Sequence, residues 1–548
     1  MVNNGKEKAK DVVADDENEH SHSEDDRDEE EVENGPETAG TSTSAQKPKK
    51  KKKKKSKAAK LLNALKGNRE VPQELVDTVM EKVREQEGHA DESEVRAALE
   101  QLKIGGVMEG KAGLFGRGKK DMGDHKFWAT QPVPHPEEGP PEADGYIEPA
   151  VPREQVRQEP YPLPKDFEWS FVDLNKPDEL KEVYDLLSAN YVEDDHATFR
   201  FRYSAEFLDW ALKPPGFHKE WHVGVRVSSN KKLVGFIAGV PIALRIRGNA
   251  VRASEINYLC VHKKLRSKRL APVLIKEVTR QCHLKGIFQA IYTGGVLLPT
   301  PVSTCRYFHR SINDRKLVDV GFTHIPRNST MARLQRLHKL ATAPTLVNAG
   351  LREMHNKDVP QVAELFTRYM HRFQLSPIMD HDEIRHQFLS GLGDGDAPKD
   401  FKGKRDRQVV WAYVVENPTT HKITDFFTFY YLPSTVMQSI KHDTVEAAYL
   451  FYYATDVAFQ EGAEEDGRVK KRLNELLGDA LIIAGLAGFD VFNALSLMDN
   501  MKFVEDLKFG KGDGLLNYYL YNWRTSPVSG INQVGDVPPG KGVGVVML

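Results

Sequence analysis

The sequence is poor in cysteine, in long apolar runs and in net charge. It has only three cysteines among 548 residues, Cys260, Cys282 and Cys305, which excludes a disulfide framework and a four-cysteine zinc site. No run of about 18 apolar residues occurs, so no transmembrane helix is expected. The first residues are acidic and polar, unlike a secretory signal or transit peptide. We therefore expect a reduced, cytoplasmic protein.

The formal net charge of −2 conceals two opposed blocks near the start of the chain. Residues 1–46 hold 15 Asp and Glu against 4 Lys and Arg, whereas 47–60 hold ten Lys and no acidic residue. Little apolar surface is available there to offset chain entropy, and the helical patterning of 59–104 is marginal, so we assign 1–110 to a disordered arm. The lysine run 49–55 is compatible with a solubility tail, a nuclear-localisation-like patch or a tether to a polyanion. The remaining chain is nearly neutral, which argues against a basic nucleic-acid-binding body.

From about residue 166 the pattern alternates between helices and strands, which predicts a mixed α/β fold. Apolar, β-branched runs predict strands, and periodic apolar positions predict helices between them. Strands are predicted at 221–227, 233–244, 253–261, 409–415, 423–431 and 517–523. Helices are predicted at 179–187, 270–282, 359–370 and 469–486.

Two motif matches lack the context that their chemistry needs. Residues 113–120 fit a GxxxxGK pattern, but Lys120 stands where a hydroxyl should hold magnesium and no strand precedes the segment. His381 and His386 are five residues apart, which places them on different faces of a helix. We therefore expect neither a nucleotide P-loop nor a metal site, and we interpret the histidine segment as a solvated helix surface.

The most informative segment is 255–272 (EINYLCVHKKLRSKRLAP). A strand is predicted to end near Val261, and a helix to begin close to Leu270 after a basic turn. Free N–H groups at a helix N-terminus, flanked by cations, form an anion site that suits the phosphates of coenzyme A. A solvated basic turn explains the same residues equally well.

This segment resembles the first signature of the N-myristoyltransferases (glycylpeptide N-tetradecanoyltransferases), in particular those of fungal type. The other segments that resemble this family are 508–523 (KFGKGDGLLNYYLYNW), 125–133 (HKFWATQPV), 190–195 (NYVEDD) and 304–310 (TCRYFHR). The resemblance extends from about residue 121 to residue 548. Tyr258 stands where the family usually has Phe, and Phe308 where it often has Trp, which bears on fine specificity only.

The resemblance implies an α/β fold of two tandem GNAT-like (acyl-CoA N-acyltransferase) halves. The halves would be related by a pseudo-two-fold axis, with mixed sheets flanked by helices. Residues 121–325 would bind myristoyl-CoA, and 326–548 would form most of the peptide groove. The implied enzyme moves a C14 acyl group to the α-amine of an N-terminal glycine without an acyl-enzyme intermediate.

The family's acyl-CoA contacts carry over to three segments of this chain. The implied myristoyl-CoA-binding residues are His125, Lys126, Phe127, Trp128, Tyr258, Leu259, Cys260, Val261, Arg266, Ser267, Lys268, Arg269, Leu270 and Ala271. Myristoyl-CoA is a substrate, and the resemblance implies neither a metal nor another cofactor.

Attack of an amine on a thioester builds negative charge on the carbonyl oxygen, which calls for fixed N–H donors. The resemblance gives this oxyanion role to the backbone amides of Tyr258 and Leu259, which requires the strand to bulge there. It makes the α-carboxylate of Leu548 the general base, and it gives Asn257 and Thr293 a role in steering the amine. The apolar end of the chain predicts a packed terminal segment, since burial would raise the pKa of that carboxylate.

The resemblance also implies a peptide groove that recognises glycine through close backbone approach and attracts a basic residue through acidic side chains. The implied peptide-binding residues are Tyr191, Asp195, Phe199, Tyr203, Gly295, Tyr307, His309, Asp513 and Gly514. Related enzymes carry lysine-rich arms that favour ribosome association, so nascent chains are expected partners of an otherwise monomeric enzyme.

Two other functions compete with this interpretation. A related N-acetyltransferase would use a shorter acyl chain, and each additional buried CH₂ favours the longer chain by about 0.8 kcal/mol. A non-enzymatic ribosome- or RNA-binding protein would use the lysine arm, but it would leave the apolar terminus and both long signatures unexplained.

Overall fold

The computed structural model describes residues 125–192, 198–437 and 439–548. The predictions for the N-terminal arm, the GxxxxGK segment and Asp195 lie outside these residues. Within the described part of the chain, no helix combines the length and the apolar character needed to cross a membrane.

Sixteen strands and eight α-helices of the described residues position the site. The strands are β1 Phe167–Phe171, β2 Phe199–Phe201, β3 His222–Val227, β4 Leu233–Ile246, β5 Asn249–Val261, β6 Gln289–Gly294, β7 Ser303–Ser311, β8 Leu351–Glu353, β9 Leu375–Ile378, β10 Val410–Glu416, β11 Ile423–Tyr431, β12 Ser434–Val436, β13 Thr444–Val445, β14 Ala447–Thr455, β15 Val491–Leu495 and β16 Gly510–Tyr521. The helices are α1 Pro177–Asn190, α2 Ala205–Leu212, α3 Leu270–Leu284, α4 Asp314–Asp319, α5 Met331–Leu337, α6 Val359–Met370, α7 His381–Leu389 and α8 Arg468–Leu486.

One mixed sheet runs through the described part of the chain. Its strand order is β1-β3-β4-β5-β6-β16-β7-β15-β14-β11-β10-β8, and β9 pairs with β4 beside this path. A small second sheet has the order β13-β12-β2. Both parallel pairs, β5 with β6 and β14 with β15, are joined by one crossover helix, α3 and α8 respectively.

The strand order is symmetric about the contact between β16 and β7. Strands β1, β3, β4, β5 and β6 occupy on one side the places that β8, β10, β11, β14 and β15 occupy on the other. The last strand of each half is exchanged, because β16 pairs with β6 and β7 pairs with β15. This repeated order is the tandem, pseudo-two-fold arrangement that the sequence analysis expects.

The buried strands explain why the sheet forms. The first eight residues of β4, from Leu233 to Val240, are all buried, which is typical of a strand covered on both faces. Helix α3 closes a cluster with Trp221, Val223 and Ile237 on one face. The larger core fills the other face and continues through the second half, where α8 contributes buried Leu473, Leu477 and Ile483.

Several predicted elements coincide with the structure, and two predictions need correction. The last strand begins at Gly510 and not at Asn517, because Gly510 and Lys511 already pair with β7. His386 is half-buried, and its Nε2 lies 2.8 Å from the carbonyl oxygen of Trp210, so this helix surface is only partly solvated. His381 at the start of α7 is exposed.

Candidate active site

The sheet opens into a wedge between β5 and β6. Their parallel pairing extends from Ala253 with Gln289 to Ile256 with Tyr292 and stops there. Beyond that point β5 stays paired with β4, whereas Thr293 and Gly294 of β6 stay paired with β16. The wedge therefore lies at the carboxyl ends of two parallel strands, which is the usual place for a ligand in an α/β sheet.

One edge of the wedge carries a β-bulge. Phe236 pairs with Cys260 and Ala238 with Asn257, so Ile237 alone faces two residues, Tyr258 and Leu259. Tyr258 has a φ of +58°, a left-handed conformation that a bulky residue rarely adopts. The bulge on which the expected oxyanion role depends is thus confirmed. At a bulge the extra residue is left out of the regular hydrogen-bond ladder between the strands.

The second half contains a matching bulge whose amide is occupied. There Thr428 faces Phe451 and Tyr452, because Phe427 pairs with Tyr453 and Phe429 with Leu450. The Tyr452 N–H donates to the Thr428 hydroxyl over 2.9 Å, and that hydroxyl donates to the Tyr452 carbonyl over 2.9 Å. In the first half the position of Thr428 is taken by Ile237, whose side chain has no acceptor.

A cluster of exposed cations follows β5. A 3₁₀ helix spans Lys263–Lys268, and α3 begins at Leu270, as the sequence predicts. Lys264, Lys268 and Arg269 are exposed at this helix N-terminus. The turn is fixed to the end of α1, since the backbone N–H of Lys263 donates to Asn190 Oδ1 over 3.1 Å and Arg266 Nη2 to the Asn190 carbonyl over 2.5 Å. Such a helix start favours the binding of phosphates.

The segment 125–133 lies beside the wedge. Trp128 stacks on Tyr292 of β6 with ring centroids 5.6 Å apart, and Tyr292 stacks on Tyr519 at 5.0 Å. Phe127 meets Trp128 edge to face at 5.1 Å, and Gln131 accepts a hydrogen bond from Tyr521. His125 and Phe127 are half-buried, and Lys126 is exposed. The aromatic stack therefore holds this segment against β6, which borders the wedge, and against the neighbouring β16.

The end of the chain threads into the core through close backbone contacts. Residues Val543, Val545, Val546 and Met547 are buried, and Leu548 packs against the main core. The Leu375 N–H donates to the carbonyl of Gly542, and the Tyr518 hydroxyl donates to that of Val545 over 3.1 Å. The predicted packing of the terminal segment is thus confirmed.

An ion network anchors the same segment upstream. Lys541 Nζ lies 2.7 Å from Asp499 Oδ1 and 2.9 Å from Glu464 Oε1, and Arg372 reaches Asp499 over 3.1 Å. Asp499 is fully buried and also accepts the Tyr369 hydroxyl over 2.7 Å. Since removal of one partner would leave a buried charge unpaired, this network fixes where the terminal residues begin.

The terminal residue meets a carboxylate that the sequence analysis does not single out. Glu255 of β5 accepts a hydrogen bond from Asn257 Nδ2 over 2.6 Å and another from the backbone N–H of Leu548. Burial raises the pKa of Glu255 to about 7, and these two hydrogen bonds oppose the rise only in part. Asn257, Thr293 and Leu548 are thereby gathered around the wedge, since Ile256 beside Asn257 pairs with Tyr292 beside Thr293.

The expected peptide-binding residues form two neighbouring aromatic groups. Tyr203 lies 5.8 Å from Tyr191 and 5.4 Å from Tyr258 between ring centroids. The backbone of Tyr258 hydrogen-bonds to the Tyr191 hydroxyl, so the bulge touches this group directly. Phe201 connects the cluster to the second group, because its ring lies 6.0 Å from Tyr203 and 6.3 Å from Tyr449.

The second group surrounds His309. Its ring stacks parallel to Tyr307 at 6.4 Å and its Nδ1 lies 2.6 Å from Asn493 Oδ1. Burial lowers the pKa of His309, and the contact with Asn493 and the charge of Asp513 oppose this shift in part. A Cβ at Gly512 would lie 2.4 Å from His309 Nε2, and one at Gly514 would lie 3.2 Å from Tyr307. The glycines of β16 therefore allow its backbone to approach these rings.

The remaining expected residues lie in four different settings. Phe199 reaches the second group through Phe322, whose ring is 5.7 Å from Phe199 and 5.4 Å from His309. Gly295 is exposed just beyond the end of β6. Burial raises the pKa of the Cys260 thiol to about 12, so this cysteine is protonated and a poor nucleophile. Val261, Ser267 and Ala271 belong to the β5–α3 connection through their backbone.

Sequence reasoning misses several residues that the fold brings to the site. They are Glu255, Phe201, Phe322, Tyr449 and Asn493. Only Glu255 carries a local signal, because it is a carboxylate two residues before Asn257 in the strand. The others come from distant elements and share no spacing with the motifs.

Two family models match the chain in tandem. The model described as "Myristoyl-CoA:protein N-myristoyltransferase, N-terminal domain" matches residues 146–305, and the corresponding C-terminal domain matches 319–546. With the fold and the wedge, these matches define the class: the chain belongs to the N-myristoyltransferase family, and it is an acyltransferase.

Its similar relatives are mostly fungal. A glycylpeptide N-tetradecanoyltransferase of Emericella nidulans is 49% identical over 464 residues, which cover 84% of this chain and 91% of the relative. That of Schizosaccharomyces pombe is 45% identical over 469 residues, covering 85% and 97%. A crystal structure of Saccharomyces cerevisiae N-myristoyltransferase with bound myristoyl-CoA is 45% identical, has a TM-score of 0.71, and is matched over 78% of this chain and 95% of that one. The expected family and the tandem fold are confirmed.

Proposed function

We propose that this enzyme transfers a myristoyl group from myristoyl-CoA to the α-amine of the N-terminal glycine of proteins. The observation that carries the proposal is the wedge past Ile256 and Tyr292, with the Tyr258–Leu259 bulge on its edge. A thioester carbonyl in this wedge would have backbone amides on one side and the tyrosine-rich groove on the other. The names of the relatives and the myristoyl-CoA bound in the yeast enzyme support the same substrate class.

The acyl-CoA would lie along the β5–α3 connection and against the segment 125–128. The cations Lys264, Arg266, Lys268 and Arg269 would meet the phosphates at the N-terminus of α3. A myristoyl chain has twelve carbons more than an acetyl group, and burial of each CH₂ contributes about 0.8 kcal/mol. An apolar pocket for the chain would therefore select myristoyl-CoA strongly over acetyl-CoA, and no other cofactor is required.

The bulge would supply the oxyanion hole. The amide of Tyr452 in the second half binds the Thr428 hydroxyl, which indicates that this position in the bulge presents an N–H to an acceptor. The matching Leu259 faces Ile237, so a substrate oxygen would take the acceptor's place. Tyr258 supplies the second amide, which now contacts the Tyr191 hydroxyl and would exchange that partner for the substrate. One such donor changes kcat by about 10²–10³-fold in other enzymes.

The α-carboxylate of Leu548 would act as general base for the incoming amine. A free α-carboxyl group has a pKa of roughly 3.5, against about 8 for an α-amino group, so it is a weak base in water. The apolar surroundings of residues 543–547 would raise that pKa and narrow the gap. Asn257 and Thr293 would hold the amine, which then attacks the thioester directly, without an acyl-enzyme intermediate.

The groove would read the first residues of the acceptor. Close backbone at Gly295 and Gly514 would leave no room for a side chain on the first residue, which selects glycine. Tyr191, Tyr203, Phe199, Tyr307 and His309 would line the groove. Asp513, together with Asp195 outside the described residues, would attract a basic residue further along the acceptor.

The division of labour between the halves is part of the proposal. Residues 121–325 would bind the acyl-CoA, and 326–548 would supply most of the groove, although the exchanged strands β7 and β16 bring Tyr307 of the first half close to Gly514 of the second. A monomer in the cytoplasm, with the lysine run engaging ribosomes, remains the prediction for partners and location.

The proposal is tested by acyl transfer to two synthetic peptides that differ only in a first residue of Gly or Ala. The full-length enzyme and a variant without Leu548 are assayed with myristoyl-CoA and with acetyl-CoA. We expect transfer of myristate to the Gly peptide alone and a large fall in the chemical step on deletion of Leu548. Preference for acetyl-CoA would favour the N-acetyltransferase alternative over this proposal. Full activity of the deletion variant would contradict the assignment of the terminal carboxylate as the base.

A further inference from the structure

Among the residues that the structure describes, Glu255 is a carboxylate at the wedge that the proposed function leaves without a role. It is half-buried, it receives the side-chain amide of Asn257 over 2.6 Å, and it receives the backbone N–H of Leu548. The other titratable groups that face it are the hydroxyls of Tyr258 on its own strand and of Tyr452 on β14. Within the described residues, no lysine, arginine or histidine forms an ion pair with Glu255. Glu255 is thus a carboxylate without a cationic partner, and it lies where the proposed function places the ammonium group of the acceptor. This position suggests that Glu255 takes part in the reaction.

Covalent geometry places this side chain beside the terminal carboxylate. The carboxyl carbon of a residue is two bonds, or about 2.5 Å, from its own nitrogen. Because Glu255 accepts a hydrogen bond from the Leu548 N–H, the terminal carboxylate lies near Glu255 as well. An ionised Glu255 therefore orients the Asn257 amide directly and the last residue through its backbone N–H.

We propose that Glu255 is the second carboxylate of the acceptor site. It holds Asn257 and the last residue in position, so that the terminal carboxylate takes up the proton that the acceptor's ammonium group releases. This inference rests on the proposed function and adds a positioning residue to its proton transfer. Glu255 itself is a positioning residue that acts through Asn257 and Leu548.

The protons of the reaction then balance. The glycine ammonium group gives one proton to the terminal carboxylate, and the lone pair so freed forms the N–C bond with the thioester carbonyl. The C–S bond breaks with its electrons on sulfur, a second proton leaves the nitrogen and ends on the thiolate, and the amide keeps the third. With its pKa raised to about 7, Glu255 changes its charge near neutral pH, and a protonated Glu255 holds the Asn257 amide less strongly than the carboxylate does.

The test is the pH dependence of kcat for Glu255→Gln with myristoyl-CoA and the Gly peptide. Glutamine keeps an oxygen that accepts from Asn257 and Leu548, so folding and the affinity for myristoyl-CoA should stay unchanged. The wild-type carboxylate is ionised above pH 7 and protonated below it, so kcat of the wild type should fall as the pH drops through 7. In the variant we expect this inflection to disappear and kcat at pH 7.5 to be about 100-fold lower. Glu255→Asp should restore part of the rate and keep an inflection.

Glu383→Gln is the matched control. Glu383 is also half-buried, also has a raised pKa, and accepts the backbone N–H of Asp380 at the start of α7, away from the wedge. Its variant should keep the wild-type profile. The proposal is overturned if Glu255→Gln lowers kcat by the same factor at every pH, or if only its melting temperature changes. A wild-type enzyme that transfers no myristate would overturn the proposed function itself, which separates the two failures.

Discussion

The terminal segment passes through a gap at Gly542 that no side chain fits. A Cβ at this position would lie 2.2 Å from the backbone oxygen of Ser529 and 2.3 Å from its nitrogen. These atoms are backbone, so they cannot turn aside as a flexible side chain would. The neighbouring hydrogen bonds, from the Leu375 N–H to the Gly542 carbonyl and from the Gly544 N–H to the Leu375 carbonyl, hold the segment in the same place.

The magnitude for Gly542→Ala follows from this distance. Ordinary contact between a carbon and another heavy atom is about 3.5 Å, so the segment must move by about 1 Å to accept the methyl group. Overpacking of this kind destabilises a fold by roughly 1–3 kcal/mol. A displacement of about 1 Å at a reacting group costs about 100-fold in rate, so kcat should fall by about two orders of magnitude. The acyl-CoA contacts proposed for β5 and α3 should stay in place, and the affinity for myristoyl-CoA should change less than twofold.

Single-turnover transfer of myristate to the Gly peptide measures the chemical step, and titration with myristoyl-CoA measures binding. Gly139→Ala is the control, since nothing lies within 4 Å of a Cβ there. Gly544→Ala should be intermediate, because its Cβ would meet only the Phe373 side chain at 2.9 Å. Wild-type kcat in Gly542→Ala, or an equal loss of acyl-CoA affinity, would refute the positioning argument.

Three further changes probe other parts of the site. Ile237→Thr should place a hydroxyl against the Leu259 amide and lower kcat about 100-fold in the transfer assay, whereas Thr428→Val should lower only the melting temperature; similar kinetics in both variants would contradict the oxyanion assignment. Replacing Lys264 and Lys268 with Glu should raise the Kd of myristoyl-CoA about tenfold at low salt and less at high salt, and a salt-independent change would point to misfolding. Deletion of residues 1–60 should leave peptide turnover unchanged and weaken co-sedimentation with ribosomes at low salt. Unchanged co-sedimentation would contradict the hypothesis that the lysine run binds ribosomes.

Local sequence signals account for the elements that carry their own apolar pattern. Helix α6 coincides with the predicted 359–370, and β11 with the predicted 423–431. Each element carries its own pattern of apolar residues and buries those residues against the core. Strand β7 went unpredicted, since its sequence mixes polar and aromatic residues and is held by β15 and β16 on its two sides. The early start of β16 also went unpredicted, because it depends on a neighbouring strand. The glycines at its start join the sheet only because β7, with His309, lies against them.

The same distinction between local and non-local signals applies to the site. Local sequence predicts the start of α3 at Leu270, from a basic turn before a helix, and the packed terminus, from a run of apolar residues at the end of the chain. The sequence did not predict the bulge at Tyr258 by itself. The oxyanion role required a bulge there, but nothing in the composition of the strand requires a residue with left-handed backbone conformation. It forms because the register of β4 against β5 changes by one residue, which is a property of the pair.

The sequence by itself determines the family, the α/β class and the segments that carry chemistry, because those signals lie within short stretches of chain. Only the tertiary structure decides which of these stretches meet. The exchange of β7 and β16 brings His309 to Gly512, and the threading of the last residues brings Leu548 to Glu255, across about 200 and 290 residues of sequence respectively. Contacts at such separations depend on the packing of the whole sheet, and no local preference encodes them.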